Sequence, residues 1–342
     1  MKKPTIWIVS SIAIFTIGLV IMGFMFDVSE NEKQNGLTGI YDVTIDGIIA
    51  FVEFERGKPS LYQSDKDGKK ELLAQFPVDQ TIVDVSFSND GQILSYAVTD
   101  KEMDMDSNTE IHFIHMDTMQ DEVAFTENAI VTEIAFDPKD SSLLFYLRAD
   151  TFTNYSPITG ERPHDFDVYS FKVDMKKSVR HTHMKKYAMS SLHVSSDDDT
   201  VFVQMTDDDD VQSADDVFQA KQRIFQIPLS DPEEKEIISD PSGHEDIYDF
   251  LIIPERNEII FQAVSGTKSN GIFQYDLFSF NYETFETEQL TTMRSNASKP
   301  LRGPDDQIYF IVDRRFGERQ PDYHLYKMKI DGGETMEVPL NH

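Results

Sequence analysis

The 342-residue chain has no cysteine. That excludes a disulfide framework, a thiolate metal centre and a cysteine-linked lipid anchor. Basic residues are scarce, 31 against 61 acidic ones, for a formal charge of −30. Holding a phosphate backbone requires clustered Lys and Arg that displace counterions, so nucleic acid is excluded as a partner. The acidity reads instead as a solubility surface. The single tryptophan is Trp7, and no Gly-x-Ser-x-Gly pentapeptide occurs. Beyond residue 26 no segment carries convincing helical periodicity except Ser213 to Gln222, where Ser213 and Asp216 could cap a single turn or two.

What is present begins with Ile6 to Phe26, an uncharged run of 21 residues behind Lys2 and Lys3. As a helix it measures about 31 Å, enough to cross a bilayer core. Two lysines before it and Asp27, Glu30 and Glu32 after it place the N-terminus in the cytoplasm and the rest outside. The run ends Met22-Gly23-Phe24-Met25-Phe26, without the small residues of a signal-peptidase site, which favours a retained anchor over a cleaved leader. The predicted organisation is a cytoplasmic stub at 1–5, a membrane anchor at 6–26, a polar linker at 27–39 and one outward domain at 40–342.

That domain is repetitive. Val83 to Asp100, VDVSFSNDGQILSYAVTD, reads as a strand, a tight Asp-Gly turn and a second strand with a central aromatic, a strong hairpin signal because glycine accepts the positive φ of the turn. Equivalent turns fall at Asp46-Gly47, Asp90-Gly91, Asp140-Ser141, Asp198-Asp199, Arg256-Asn257 and Asp305-Asp306, 44 to 58 residues apart. Each is followed by an aromatic: Phe51, Tyr96, Phe145, Phe202, Phe261 and Phe310. A third strand (from Leu61, His112, Val168, Ile224, Leu277 and Leu325) and a short fourth complete each unit. Four antiparallel strands at this period are the signature of a β-propeller blade. The predicted class is therefore all-β, a six-bladed β-propeller behind one N-terminal transmembrane helix, with the repeated aromatics packing blade on blade.

The units resemble the WD40-like repeats of TolB-type six-bladed propellers. SFSNDGQILSYAV (Ser86 to Val98) resembles the inner hairpin; LYQSDKDGKKELL (Leu61 to Leu73) and HLYKMKIDGGETMEV (His324 to Val338) resemble the outer one. The third, fourth and fifth inner turns lack the family glycine. The resemblance implies an extracytoplasmic binding or scaffold propeller, and it carries no catalytic residue. Peptidase propellers need the absent nucleophile elbow, and sialidase-like ones need repeated Asp boxes with tryptophan. The leading expectation is a non-catalytic, membrane-anchored module binding a protein, peptide or envelope polymer. The rivals are a metal-assisted hydrolase or lyase with its site in the channel, and a purely structural assembly subunit.

Candidate contacts follow from topology. In a four-stranded antiparallel blade the second-to-third loops share one face, and the long excursions are of that kind: Lys101 to Asn108, Thr151 to Pro163, Asp207 to Lys221, Ser265 to Gln274 and Arg314 to Pro321. Binding residues concentrate on long loops of a rigid scaffold. The candidates are Asp104, Asp106, Asp207, Asp208, Asp209 and Asp210 on an acidic side, Arg314 and Arg315 on a basic side, and Phe152, Tyr155 and Phe316 as exposed anchors. Asp104-x-Asp106-x-Asn108 imitates the start of a calcium loop, but Thr109 stands where the glycine belongs and His115 at the twelfth position. No cofactor is expected, loosely held Ca2+ being the one the sequence leaves open. His181 and His183, two apart, would face one way on a strand, but read as ordinary surface histidines before metal ligands.

Overall fold

The computed structural model describes residues 29–65, 68–104, 106–150, 163–196, 199–209, 219–239 and 246–340, with residues 7, 11–13 and 15–17 near the N-terminus. Those early residues are helical. The remainder of the expected anchor lies outside the described residues, among which no helix is long and apolar enough to cross a membrane.

From Gly36 the chain alternates strands and short turns. The first run is β1 (Gly36–Val43), β2 (Ile49–Glu55), β3 (Lys58–Ser64) and β4 (Lys70–Gln75), and the second is β5 (Gln80–Phe87), β6 (Ile93–Asp100), β7 (Thr109–His115) and β8 (Gln120–Glu127). The third comprises β9 (Ile130–Phe136), β10 (Leu143–Asp150), β11 (His164–Lys172) and β12 (Lys177–Arg180), and the fourth β13 (Met189–Val194), β14 (Thr200–Thr206), β15 (Gln222–Pro228) and β16 (Glu236–Ile237). Then come β17 (Tyr248–Ile253), β18 (Glu258–Thr267), β19 (Phe273–Asn281) and β20 (Glu286–Gln289), and finally β21 (Asn296–Arg302), β22 (Gln307–Asp313), β23 (Tyr323–Lys329) and β24 (Met336–Glu337). Each run is an antiparallel meander in chain order, and a single parallel bridge, Tyr275 to Asn296, joins the last two into one eight-stranded sheet. The first strands touch in sequence, β1 to β5 to β9 to β13 to β17 to β21, and β21 touches β1. The series of sheets closes on itself.

Turn chemistry explains how the inner hairpins form with and without glycine. Gly47 and Gly91 take φ of 86° and 67°. In the third turn the Asp137 carboxylate accepts the N–H groups of Lys139 and Asp140 at 2.7 and 3.1 Å, an Asx device that replaces the glycine. Asn257, and Asp305 with Asp306, adopt the left-handed region themselves, which Asn and Asp tolerate better than other side chains. Outer hairpins repeat a device too. Asp167 accepts from the Thr182 hydroxyl and the Met184 N–H, both at 2.7 Å; Asp276 does the same with Thr291 at 2.8 Å and Met293 at 2.7 Å.

The core is six apolar clusters, one at each contact between successive runs. Leu94 and Tyr96 pack on Ala50, Val52 and Leu61, for example, while Tyr309, Ile311 and Leu325 pack on Tyr41, Val43 and Phe51 to seal the last run against the first. Phe51, Tyr96, Phe145, Phe261 and Phe310 are buried as expected; Phe202 is only partly covered. One loop differs from its expected bounds. Gly266 and Thr267 pair with Gln274 and Phe273 past a bulge, so the ladder consumes most of 265–274 and leaves 268–272.

Phe145→Ala and Phe310→Ala should each destabilise by about 3–5 kcal/mol. Phe285→Ala, at a ring 69% exposed, should change stability by less than about 0.5 kcal/mol. Urea midpoints of the three variants check this, and equal midpoints would contradict the packing.

Candidate functional site

Every first strand loses regular pairing with its second strand near the same level. The slips fall between Leu37 and Tyr41, Ile82 and Asp84, Val131 and Glu133, Ser190 and His193, Tyr248 and Phe250, and Ser298 and Leu301. A bulge re-aims side chains and leaves backbone groups without a ladder partner. At least one polar residue from each first strand lines a common central cavity of about 280 Å³, with Asp42, Asp84, Glu133, Ser191, Asp249 and Lys299 in equivalent places. Ser191 and Lys299 hold φ of 56° and 52°, left-handed values that non-glycine residues adopt only where the surroundings impose them.

These side chains bond from run to run around the cavity. Asp42 accepts the Phe87 N–H at 2.6 Å, and Asp84 accepts the Ile134 N–H at 2.8 Å. Glu133 takes the N–H groups of Ser191 and Leu192 at 2.9 and 2.7 Å. The Ser191 hydroxyl donates to Asp249 at 3.1 Å, whose other oxygen accepts the Lys299 N–H at 3.1 Å. The Tyr41 hydroxyl closes the circuit on the Lys299 carbonyl at 2.7 Å. Burial drives the three acids upward against these bonds, Asp42 and Asp84 to about 6 and Glu133 to about 7. The Lys299 ammonium partly offsets that for Asp84 and Glu133. Burial also lowers His193, on the same wall, to about 4.

No protein-family profile matches the chain, and no curated protein sequence does. Solved structures do match. TolB from Acinetobacter baumannii superposes with a TM-score of 0.60 at 15% identity, over 87% of this chain and 65% of TolB. The fold is a TolB-like β-propeller. An oligogalacturonate lyase in complex with manganese gives 0.54 at 15% identity, covering 89% of this chain and 77% of the lyase. A chain of a nidogen/laminin complex gives 0.55 at 9% identity, covering 88% and 92%. At such identities the likeness establishes the fold alone.

On the propeller, the loop residues singled out from sequence are mostly bound to their own surroundings. The Asp104 carboxylate accepts the Asp106 N–H at 2.9 Å and the Ser107 hydroxyl at 3.2 Å. Asp106 and Asp207 are exposed. Asp208 and Asp209 do not form a free acidic patch, because Asp208 pairs with Lys186, and Asp209 pairs with Lys186 at 3.0 Å and Lys235 at 2.7 Å. Those bonds hold the Asp209 carboxyl below its usual range. Arg314 lies across the last sheet on Tyr326 and on Glu337 at 2.5 Å, whereas Arg315 is more than half exposed. Phe316 is not an exposed anchor: it is half-buried, edge-on to Tyr275 at 5.5 Å. Phe152, Tyr155 and Asp210 lie outside the described residues. His181 follows the end of β12, bonded to the Ser170 hydroxyl at 2.8 Å and set apart from exposed His183. Among the described residues no group of three or more His, Asp or Glu is arranged to hold a metal.

The six channel residues went unread in the sequence. Their spacings of 42, 49, 58, 58 and 50 residues follow the repeat, and two of them interrupt apolar neighbours, in Tyr41-Asp42-Val43 and Tyr248-Asp249-Phe250.

The raised acids set a pH dependence. A carboxyl whose folded pKa is raised contributes stability that is lost as pH climbs through that value. His193, lowered, acts in the opposite sense, its contribution being lost below about 6.5, the ordinary histidine value. Between pH 8 and 6.5 the acids should add about 1 kcal/mol of stability, most of it from Glu133, while the lowered His193 and His181 oppose with a smaller loss as pH nears 6.5. Thermal melts should show the rise, and Glu133→Gln should remove most of it. A wild-type midpoint that gains nothing on that of Glu133→Gln over this range would contradict the assignment.

Proposed function

We propose that the chain is a single-pass, membrane-anchored, six-bladed propeller whose extracytoplasmic disc binds a protein or envelope polymer without transforming it. The observation that carries this reading is the state of the channel carboxylates. Asp42, Asp84, Glu133 and Asp249 all accept a hydrogen bond from the neighbouring sheet, which makes them sheet-to-sheet ties. The Ile6 to Phe26 run supports the anchor. The loops after the second strand offer the binding surface, with Glu102, Asp106 and Arg315 as exposed charges. Among the structural neighbours are TolB and a chain of a nidogen/laminin complex, which fits a binding role.

A second reading has one observation in its favour. Asp84 and Glu133, raised towards neutrality, share the channel with Lys299, and perturbed carboxylates in a cavity mark acid–base sites in many enzymes. With the manganese-bound lyase among the neighbours, this reading is metal-assisted lyase or hydrolase chemistry. It requires the Asp84 and Glu133 oxygens now holding Ile134, Ser191 and Leu192 to turn towards a ligand.

The readings separate on which variants matter. Capture of a partner by the detergent-solubilised full chain should weaken about 3- to 10-fold when Glu102, Asp106 and Arg315 are neutralised together, since rim charges act chiefly on association. It should be unchanged in Asp84→Asn. Manganese raising the thermal midpoint of wild type but not of Asp84→Asn would favour the enzyme instead.

A further inference from the structure

The stretch that reads as a free linker is docked. Ser29 and Glu32 cap each other reciprocally, the Ser29 N–H reaching the Glu32 carboxylate at 3.0 Å and the Glu32 N–H reaching the Ser29 hydroxyl at 3.2 Å, and Asn31–Lys33 forms one 3-10 turn. Residues 30–35 then bind three second-to-third connections. In the first unit the Gly57 N–H donates to the Gln34 carbonyl at 2.8 Å, and the Arg56 N–H to the Asn35 side chain at 2.9 Å. In the second, the Lys101 ammonium donates to the Gln34 side chain and the Gly57 carbonyl, both at 2.7 Å, over the Phe54 ring. In the sixth, Arg319 pairs with Glu30 at 3.0 Å. Gly57 is required for this fit: its φ is 80°, and a Cβ there would lie 2.2 Å from the Asn31 carbonyl oxygen.

All three connections lie on one face of the disc. We propose that residues 29–35 act as a strap that turns this face towards the membrane, so that its long loops meet partners embedded in the bilayer and the opposite, tight-turn face is left to soluble ones. The inference rests on the anchor reading above. Phe26, the last residue of the apolar run, and docked Ser29 are three residues apart, a reach of at most about 11 Å in any conformation. The opposite face stands a blade's height further out, about 20 Å for strands of six or seven residues. A flexible linker would leave either face free to approach; a strap held by loops of the first, second and sixth units does not.

The chain has no cysteine, so single-cysteine labels are specific. Asp106→Cys and Asp117→Cys place a donor dye at exposed sites on opposite faces of the second unit. The full chain is reconstituted into liposomes carrying a headgroup-linked acceptor and floated on a density gradient. We expect flotation, with transfer at least twofold more efficient from position 106 than from 117. We also expect Gly57→Asn, whose Cβ would meet the Asn31 carbonyl while Asn tolerates the turn's positive φ, combined with Lys101→Met and Arg319→Glu, to abolish that difference without affecting flotation; none of the three residues belongs to the apolar clusters. Failure to float would overturn the anchor reading and the orientation with it. Flotation with equal transfer, or greater transfer from 117, would overturn the orientation alone. A difference that survives loss of the strap contacts would overturn the strap as its cause.

Discussion

The structure depends on hydrogen bonds that run around the channel from the side chains of one sheet to the backbone of the next. Each sheet is made from one contiguous stretch of chain, and among the described residues no strand is shared between the last run and the first. Closure therefore falls to packing and to those bonds. The six apolar clusters supply most of the burial but little direction, because hydrophobic contact is non-directional. The polar circuit adds register. Channel-side N–H groups of the first strands would be costly to bury unpaired, and an acid from the preceding sheet accepts them at 2.6 to 2.9 Å for Phe87, Ile134, Ser191 and Leu192. The cost appears in the raised pKa values of Asp42, Asp84 and Glu133, carboxylates drawn out of water to hold those groups.

The same circuit accounts for a binding reading of a channel that, by composition, resembles an active site. Four acids and a lysine around 280 Å³ would be a conspicuous cluster if their oxygens were free. Their geometry favours the proposed binding reading, because each of the four acids already holds a donor of the neighbouring sheet. A hydrogen-bonded carboxylate fixed on a neighbouring backbone orders the scaffold, while a free one is available to a substrate. The loop face inherits the rigidity of that scaffold, and the docked strap adds three of its connections to the ordered part.

Much of the fold was legible because it is written in local chemistry. The Asp-Gly turns, the repeated aromatic and the apolar alternation each belong to a stretch of fewer than ten residues, and Phe51, Tyr96, Phe145 and Phe310 lie where the repeat placed them. The site was less legible because it is made of pairings between distant residues. Asp208 and Asp209 count as charge in a sequence, yet Lys186 and Lys235 neutralise them from 22 or more residues away. Arg314 meets Glu337 across the last sheet, and Phe316 meets Tyr275 from another blade. Ser29 to Asn35 has a linker's composition, but its docking depends on a glycine at position 57. The channel residues follow the repeat period but differ in type, Asp, Glu, Ser and Lys, so a search by residue type passes over them.

Native-state hydrogen exchange of the Phe87, Ile134, Ser191, Leu192 and Lys299 amides tests the circuit most directly. All five should exchange as slowly as the buried second strands, with opening free energies near that of global unfolding. Exchange at the rate of the exposed 314–322 loop would contradict the account, for the carboxylates would then be holding nothing and would be available for chemistry.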